Sequence, residues 1–415
     1  MGNPVDQSAS KETPESLGFG QTVLLATAGP GAQTPVGDQP NTPLAPVLGE
    51  LENHSFSGFG FNTIFRPNST NKKIPTILNA RGPNDNVLQL NLTKEEMKFE
   101  PRLSTLGEVP NRGLFQQADI NLNGVPYSQK VFDMMNPEVA TPLIHYENGM
   151  WLNVPESTKP KLNASLVRMA SIPHGTTINA QTFSTPVLLD GGPDIKPNSI
   201  TPFPVGKPKA PLTGVFPSLI AANKDTFRLP QDLTPLPKAQ TITQEMIDNP
   251  NIVLQNANKG KKIINSTTYT VSTSLSEPNF GGGTSNIGFL QGDGSQGGNT
   301  EATDTTTKRA NANAAKVTAT YWISKVQAKL RLEPFKPSDE EPERTFSPVP
   351  VRPTDAVPVY TVKFEIPSAK EITVVYTQLQ YSQTILLDFA GLSWPHVSVG
   401  TLAPIDLKLE SSVLR

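Results

Sequence analysis

Glu371-Ile372-Thr373-Val374-Val375-Tyr376-Thr377-Gln378-Leu379-Gln380-Tyr381-Ser382-Gln383-Thr384-Ile385-Leu386-Leu387-Asp388-Phe389 is the stretch that decides the fold class. Val375, Leu379, Tyr381, Ile385, Leu387 and Phe389 mark one face of it, an alternation that belongs to a strand and not to a helix. Gly391 breaks the run, and Trp394-Pro395-His396-Val397-Ser398-Val399 begins a further strand. Upstream, Val359 to Ile366 is another, with Tyr360, Val362 and Phe364 on one face.

The same alternation recurs toward the N-terminus. Ser55-Phe56-Ser57-Gly58-Phe59-Gly60-Phe61-Asn62-Thr63-Ile64-Phe65 reads as a strand whose glycines suit a place where curvature or a neighbouring side chain excludes a Cβ. A dinucleotide fingerprint fails there, because its third glycine is Thr63 and no helix pattern follows. Val87 to Leu92 alternates, Thr93 to Glu96 reads as a charged turn, and Met97 and Phe99 resume the pattern, predicting a hairpin. A second hairpin is predicted over Leu143 to Val154, with Asn148-Gly149 as a type I′ turn and Tyr146 opposite Trp151. Leu166 to Ile172, Ile263 to Ser274 and Val317 to Leu332 are further strands. A short helical region is expected between Thr241 and Gly260, with Thr241 and Gln244 as its capping box and Pro250 splitting it.

Composition narrows the function. The chain has 415 residues, 41 of them proline, and no cysteine, so disulfides, thiolate metal sites and cysteine nucleophiles are excluded. Lys and Arg number 35 against 37 Asp and Glu, which gives no electrostatic footprint for nucleic acid. No apolar run approaches the roughly 18–20 residues of a membrane helix. Met1-Gly2-Asn3-Pro4 lacks a basic segment followed by an apolar one, so a cytoplasmic location is the expectation. Gly-x-Ser-x-Gly and P-loop patterns are missing. Gly281-Gly282-Gly283-Thr284 reads as a plain loop, since no helix start follows it.

That leaves four histidines. His54 precedes a strand and reads as a solvated loop residue. His145 lies beside Leu152 and Met150 in the expected hairpin, His174 begins the turn Pro173-His174-Gly175, and His396 stands among bulky apolar neighbours. An imidazole in the setting of His396 is either a packed core histidine or an axial iron ligand in an apolar pocket. The pattern leaves open whether Trp394, His396 and Ser398, or Val397 and Val399, point inward.

A family resemblance rests on these residues. Phe56-Ser57-Gly58-Phe59-Gly60, Glu147-Asn148-Gly149-Met150-Trp151 and Ile172-Pro173-His174-Gly175 resemble motifs of nitrobindin-type barrels, relatives of fatty-acid-binding proteins. Over most of residues 50–403 the chain also resembles bacterial proteins labelled "haem-binding protein", through Pro110-Asn111-Arg112-Gly113-Leu114, Trp151 to Pro155, Arg168 to Gly175 and Leu392 to His396. It departs in having Phe56 where nitrobindins open with Trp, in Trp394-Pro395-His396, and in the span from Thr185 to Ala315, which has no counterpart in a compact barrel. The resemblance implies a mainly β fold: an antiparallel calycin-like β-barrel with long Pro/Gly-rich insertions and one or two short helices. Residues 1–48 would be a flexible arm and 49–405 the barrel domain, with an inserted region at 185–315 and a proline-rich linker at 334–358. Residues 406–415 would be a tail.

By the same resemblance the barrel would bind haem b. His396 would be the iron ligand, His174 and His145 would sit at the pocket rim, and Trp394 and Trp151 would complete the cofactor-binding residues. Such a protein would carry haem or bind NO or peroxide, with peroxidase or peroxynitrite-isomerase chemistry as its enzymatic form. Two other readings stand beside it: a haem-free barrel holding a lipid or other apolar molecule, and a structural protein whose arms join subunits of a homo-oligomer.

Overall fold

The computed structural model describes residues 44–67, 86–105, 109–135, 142–236, 241–275, 281–291 and 312–414. Ten strands form a barrel: β1 (Ser55–Pro67), β2 (Asn86–Phe99), β3 (Ile120–Asp133), β4 (Leu143–Val154), β5 (Ser165–Ser171), β6 (Thr176–Thr182), β7 (Lys262–Ser272), β8 (Asn313–Leu332), β9 (Lys370–Phe389) and β10 (Leu392–Pro404). Each runs antiparallel to the next, and β10 returns to β1 from Phe56↔Pro404 to Thr63↔Val397. The seam between β6 and β7 closes at Gln181↔Ser272. The protein is therefore mainly β, a closed ten-stranded antiparallel barrel with a few short helices. Within the span 185–315, Lys262–Ser272 supplies the seventh barrel strand.

Register fixes which side chains enter the barrel. Arg168 on β5 donates to Gln383 on β9, four strands away around the wall, so both cross the interior. Gln383 pairs with Ser398, Ile385 with His396 and Tyr381 with Gly400, and directly opposed residues share a face. Hence His396 and Ser398 point inward, while Val397 and Val399 point outward. The outward set is nevertheless buried, together with Phe61, Leu88 and Leu90. Ile195, Ile200, Leu233, Ile247 and Leu254, from the span 185–315, cover it and join its apolar cluster. Arg228 holds that span in place by donating to the carbonyls of Ser218, Ile220, Ala221, Asn223 and Gln231, oxygens that coil without a ladder would otherwise leave unpaired.

Residues 44–48, assigned to the arm by the sequence, are packed: Leu44, Val47 and Leu48 enter the main core through the short helix α1 (Pro46–Gly49). The rest of the expected arm, residues 1–43, lies outside the described residues. The helical region is split as expected into α2 (Gln244–Asp248) and α3 (Ile252–Asn258), although the cap is Thr243, whose hydroxyl accepts from Met246 N. β8 and β9 outreach the barrel and carry a second core of Leu330, Leu332, Phe335, Tyr360, Val362, Ile366 and Val374. The span 334–358 supplies Phe335 to it and the strand Arg344–Phe346 to a small sheet with Tyr360–Val362 and Leu407–Lys408.

Both predicted hairpins are instead single strands. Asn148 and Gly149 lie in mid-β4, where Tyr146 pairs with Lys130 and Trp151 pairs with Val125 and Arg168. Gly149 is required by proximity and not by turn geometry, since a Cβ there would lie 2.2 Å from the Met169 carbonyl oxygen. Thr93 to Glu96 is likewise extended within β2; Glu96 faces Lys94 outside, while Glu95 enters the barrel and is 1% exposed. Local sequence marks such a charge as a turn because its partners lie far along the chain, Tyr381 being 286 residues away.

Candidate functional site

One end of the barrel gathers three of the four histidines. His145 enters from the start of β4, His396 from the start of β10, and His174 stands in the turn between β5 and β6. The rings of His145 and His174 meet edge to face with centroids 5.1 Å apart. His396 is within electrostatic reach of both. Burial, with the charges of His145 and His174, pushes its pKa down to about 4 against the pull of the Thr63 carbonyl, so the ring is neutral near pH 7. His396 Nδ1 lies 3.0 Å from that carbonyl oxygen. An oxygen without a proton can only accept, so Nδ1 carries the hydrogen and the lone pair is on Nε2. Partial desolvation and then His145 also lower His174, which is exposed at the rim. The fourth histidine, His54, pairs with Asp406 at 2.9 Å and takes no part.

Below the imidazoles the barrel is filled by polar side chains. Arg168 donates to Glu147 Oε1 at 2.5 Å, to Gln383 Oε1 at 2.5 Å and to the Tyr127 hydroxyl at 2.9 Å, and Tyr127 in turn donates to Glu147. His145 Nε2 lies 3.4 Å from the other oxygen of Glu147. Burial alone would raise Glu147, but Arg168, His145 and Tyr127 together bring it to about 2. Beside this group, Glu95 accepts from Tyr381 at 2.6 Å and from Thr93 at 2.9 Å, while Gln129 donates to Tyr381 at 3.0 Å. Burial outweighs those hydrogen bonds and the nearby His145, and the Glu95 pKa is raised. The two buried carboxylates thus stand in opposite states, one held anionic and one pushed toward its acid form.

The glycines of β1 and β10 make this arrangement fit. A Cβ on Gly60 would lie 2.5 Å from Glu95 Oε1, and one on Gly400 2.9 Å from Glu95 Oε2.

Of the other residues chosen from sequence, Trp394 follows the alternation of His396, but at the point where β1 departs from β10. Its ring stacks on Phe389 at 4.9 Å, meets Phe65 and Phe216, and donates Nε1–H to the Phe389 carbonyl. Trp151 is not at the histidine end. It lies six residues farther along β4 than His145, about 20 Å at roughly 3.3 Å per residue, and packs edge-on against Tyr269 and Tyr321. Sequence reasoning missed Glu95, Glu147, Arg168, Tyr127, Tyr381 and Gln383. The available signal was the placing of polar residues on otherwise apolar strand faces, as in Val125, Tyr127, Gln129 and Val131 of β3.

A cavity of about 430 Å³ opens at the other end, where Val47, Asn153, Leu166, Leu188 and Thr267 meet. Among the described residues no three His, Asp or Glu side chains are set to hold a bare metal ion, and no helix is long and apolar enough to cross a membrane. No family model, curated protein or solved structure matches the chain. The reading of function therefore rests on the site itself.

Proposed function

We propose that this barrel binds haem b at its histidine end, with His396 as the axial ligand and His145 and His174 as rim groups. The observation that carries the reading is the state of His396: a neutral ring, oriented by a backbone carbonyl through Nδ1–H, with its lone pair on Nε2. Metal-binding imidazoles are commonly fixed through their second nitrogen in this way. A porphyrin iron needs only one such donor from the protein, and the Nε2 lone pair of His396 is one. Bound haem would supply an iron able to take NO or peroxide. The protein's own part is to orient His396, to shield its strand with the Phe389–Trp394 stack, and to hold His145 against the Glu147 carboxylate.

The polar floor of Glu95, Glu147 and Arg168 opposes a wholly apolar ligand deep in the barrel, because the Glu147–Arg168 ion pair and the hydrogen-bonded Glu95 would have to give up their partners. A haem-free reading draws support only from the opposite cavity beside Val47, Leu166 and Leu188, which suits a small apolar molecule. Titration with ferric haemin separates the two. A Soret band that His396→Ala abolishes, and that His145→Ala and His174→Ala change less, supports haem at His396. A wild-type protein without a band, yet enhancing the fluorescence of an apolar dye, supports the second reading.

A further inference from the structure

Lys261 immediately precedes β7 and lies on the outer side of the barrel wall, away from the histidine end. It lines a pocket of about 310 Å³ together with Pro193, Ile195, Gln255, Asn258 and Ile263. Its Nζ donates to Gln378 Oε1 at 2.8 Å. Gln378 is fully buried and donates in turn to Asn258 Oδ1 at 2.9 Å, and Asn258 donates to Gln380 Oε1 at 2.9 Å. This run of amides fixes the end of the lysine side chain in the pocket. Among the described residues Lys261 has no ion pair. The charged groups that reach it are Asp355 and Arg352, which pair with each other at 3.1 Å. Burial pushes the Lys261 ammonium down to about 8, with Asp355 opposing and Arg352 adding to the effect.

A strongly desolvated lysine without a carboxylate partner exposes a nucleophilic lone pair far more often than a surface lysine does. We propose that Lys261 is a nucleophilic amine that condenses with small aldehydes admitted to this pocket. The Nζ lone pair attacks the carbonyl carbon and a C–N bond forms. The carbonyl oxygen leaves as water with the two hydrogens lost from the amine nitrogen, giving an imine and no change of oxidation state. Pro193, Ile195 and Ile263 offer an apolar wall for the aldehyde's carbon chain, and Gln255 and Asn258 bring amide groups to the same space.

The test uses the full-length protein with propanal as probe and cyanoborohydride to reduce the imine to a stable secondary amine. Peptide mass spectrometry then gives the labelling rate at each lysine and at the N-terminal amine from about pH 6 to about pH 10. The expected result is labelling of Lys261 at least about tenfold faster than the exposed Lys207 and Lys209 near neutral pH, levelling off above about pH 8. Lys261→Arg should remove that adduct and leave the melting temperature unchanged. If Lys261 labels no faster than the surface lysines, or rises in step with them to the alkaline end, it is a structural peg and the proposal fails.

Discussion

Replacing Glu147 by Gln keeps the size of the side chain and removes the charge that Arg168 faces, leaving a guanidinium buried without its anion. Breaking one side of a buried pair costs about 3–5 kcal/mol. The Glu147 pKa, brought from 4.5 to about 2, corresponds to roughly 3 kcal/mol at about 1.4 kcal/mol per unit. A carboxylate depressed in the folded state adds stability above its unfolded pKa, and that stability is lost as pH falls through the folded value. The wild-type protein should therefore exceed Glu147→Gln by about 3 kcal/mol at neutral pH. The gap should close between about pH 4.5 and about pH 2, where the wild-type carboxyl also becomes neutral. Urea unfolding of both proteins across that range measures it, and comparing the two cancels the opposite titration of Glu95, which both retain. A gap that stays constant with pH, or is missing at neutral pH, refutes the ion pair as the central element of the interior.

Other outcomes follow from the same geometry. His396, held at about 4 against an ordinary 6.5, is stabilising in its neutral form, so stability should fall by about 3 kcal/mol as pH drops between those values. His396→Asn should lack that part of the slope in urea unfolding. Gly60→Ala should cost about 1–3 kcal/mol because its Cβ would crowd the Val399 carbonyl and then Glu95, and its melting temperature reads the loss. Gly149→Ala should be comparably damaging, because its Cβ meets the Met169 carbonyl; a neutral effect would bring the turn reading back. Ferric haemin titration of wild type and His396→Ala should show the Soret band in the first and its loss in the second.

Alternation made β9 and β10 legible from sequence, because Leu379, Tyr381, Ile385 and Leu387 all belong to the barrel's inner face. The same rule misread β2 and β4. A buried Glu95 and a mid-strand Asn148-Gly149 carry the local marks of turns, and only strands distant in sequence supply the hydrogen bonds or the close approach that explain them. The fold brings His145, His174 and His396, chosen one by one from their local settings, to one end of the barrel. Their floor was illegible for a physical reason. Arg168 reaches Glu147 from the adjacent strand and Gln383 from 215 residues away, and nothing in either segment alone marks the partnership.

The floor also determines what the histidine end can accept. Were Glu147 and Arg168 replaced by apolar residues, the barrel would offer a deep greasy interior and His396 would be one wall group among many. With the pair present, a ligand that pushed inward would have to leave each buried charge without its partner, at a cost of several kcal/mol. A ligand bound as proposed would therefore stay at the level of the imidazoles. There His396 offers a lone pair whose direction the Thr63 carbonyl fixes, and His145 offers a ring tied to an anion. Glu147→Leu combined with Arg168→Leu should accordingly deepen the site. Such a variant should gain affinity for a long-chain apolar dye by equilibrium titration while keeping the His396 hydrogen bond. If dye affinity is unchanged in a folded double variant, the polar pair does not limit access, and aromatic packing by Trp151, Tyr269 and Tyr321 closes the interior in its place.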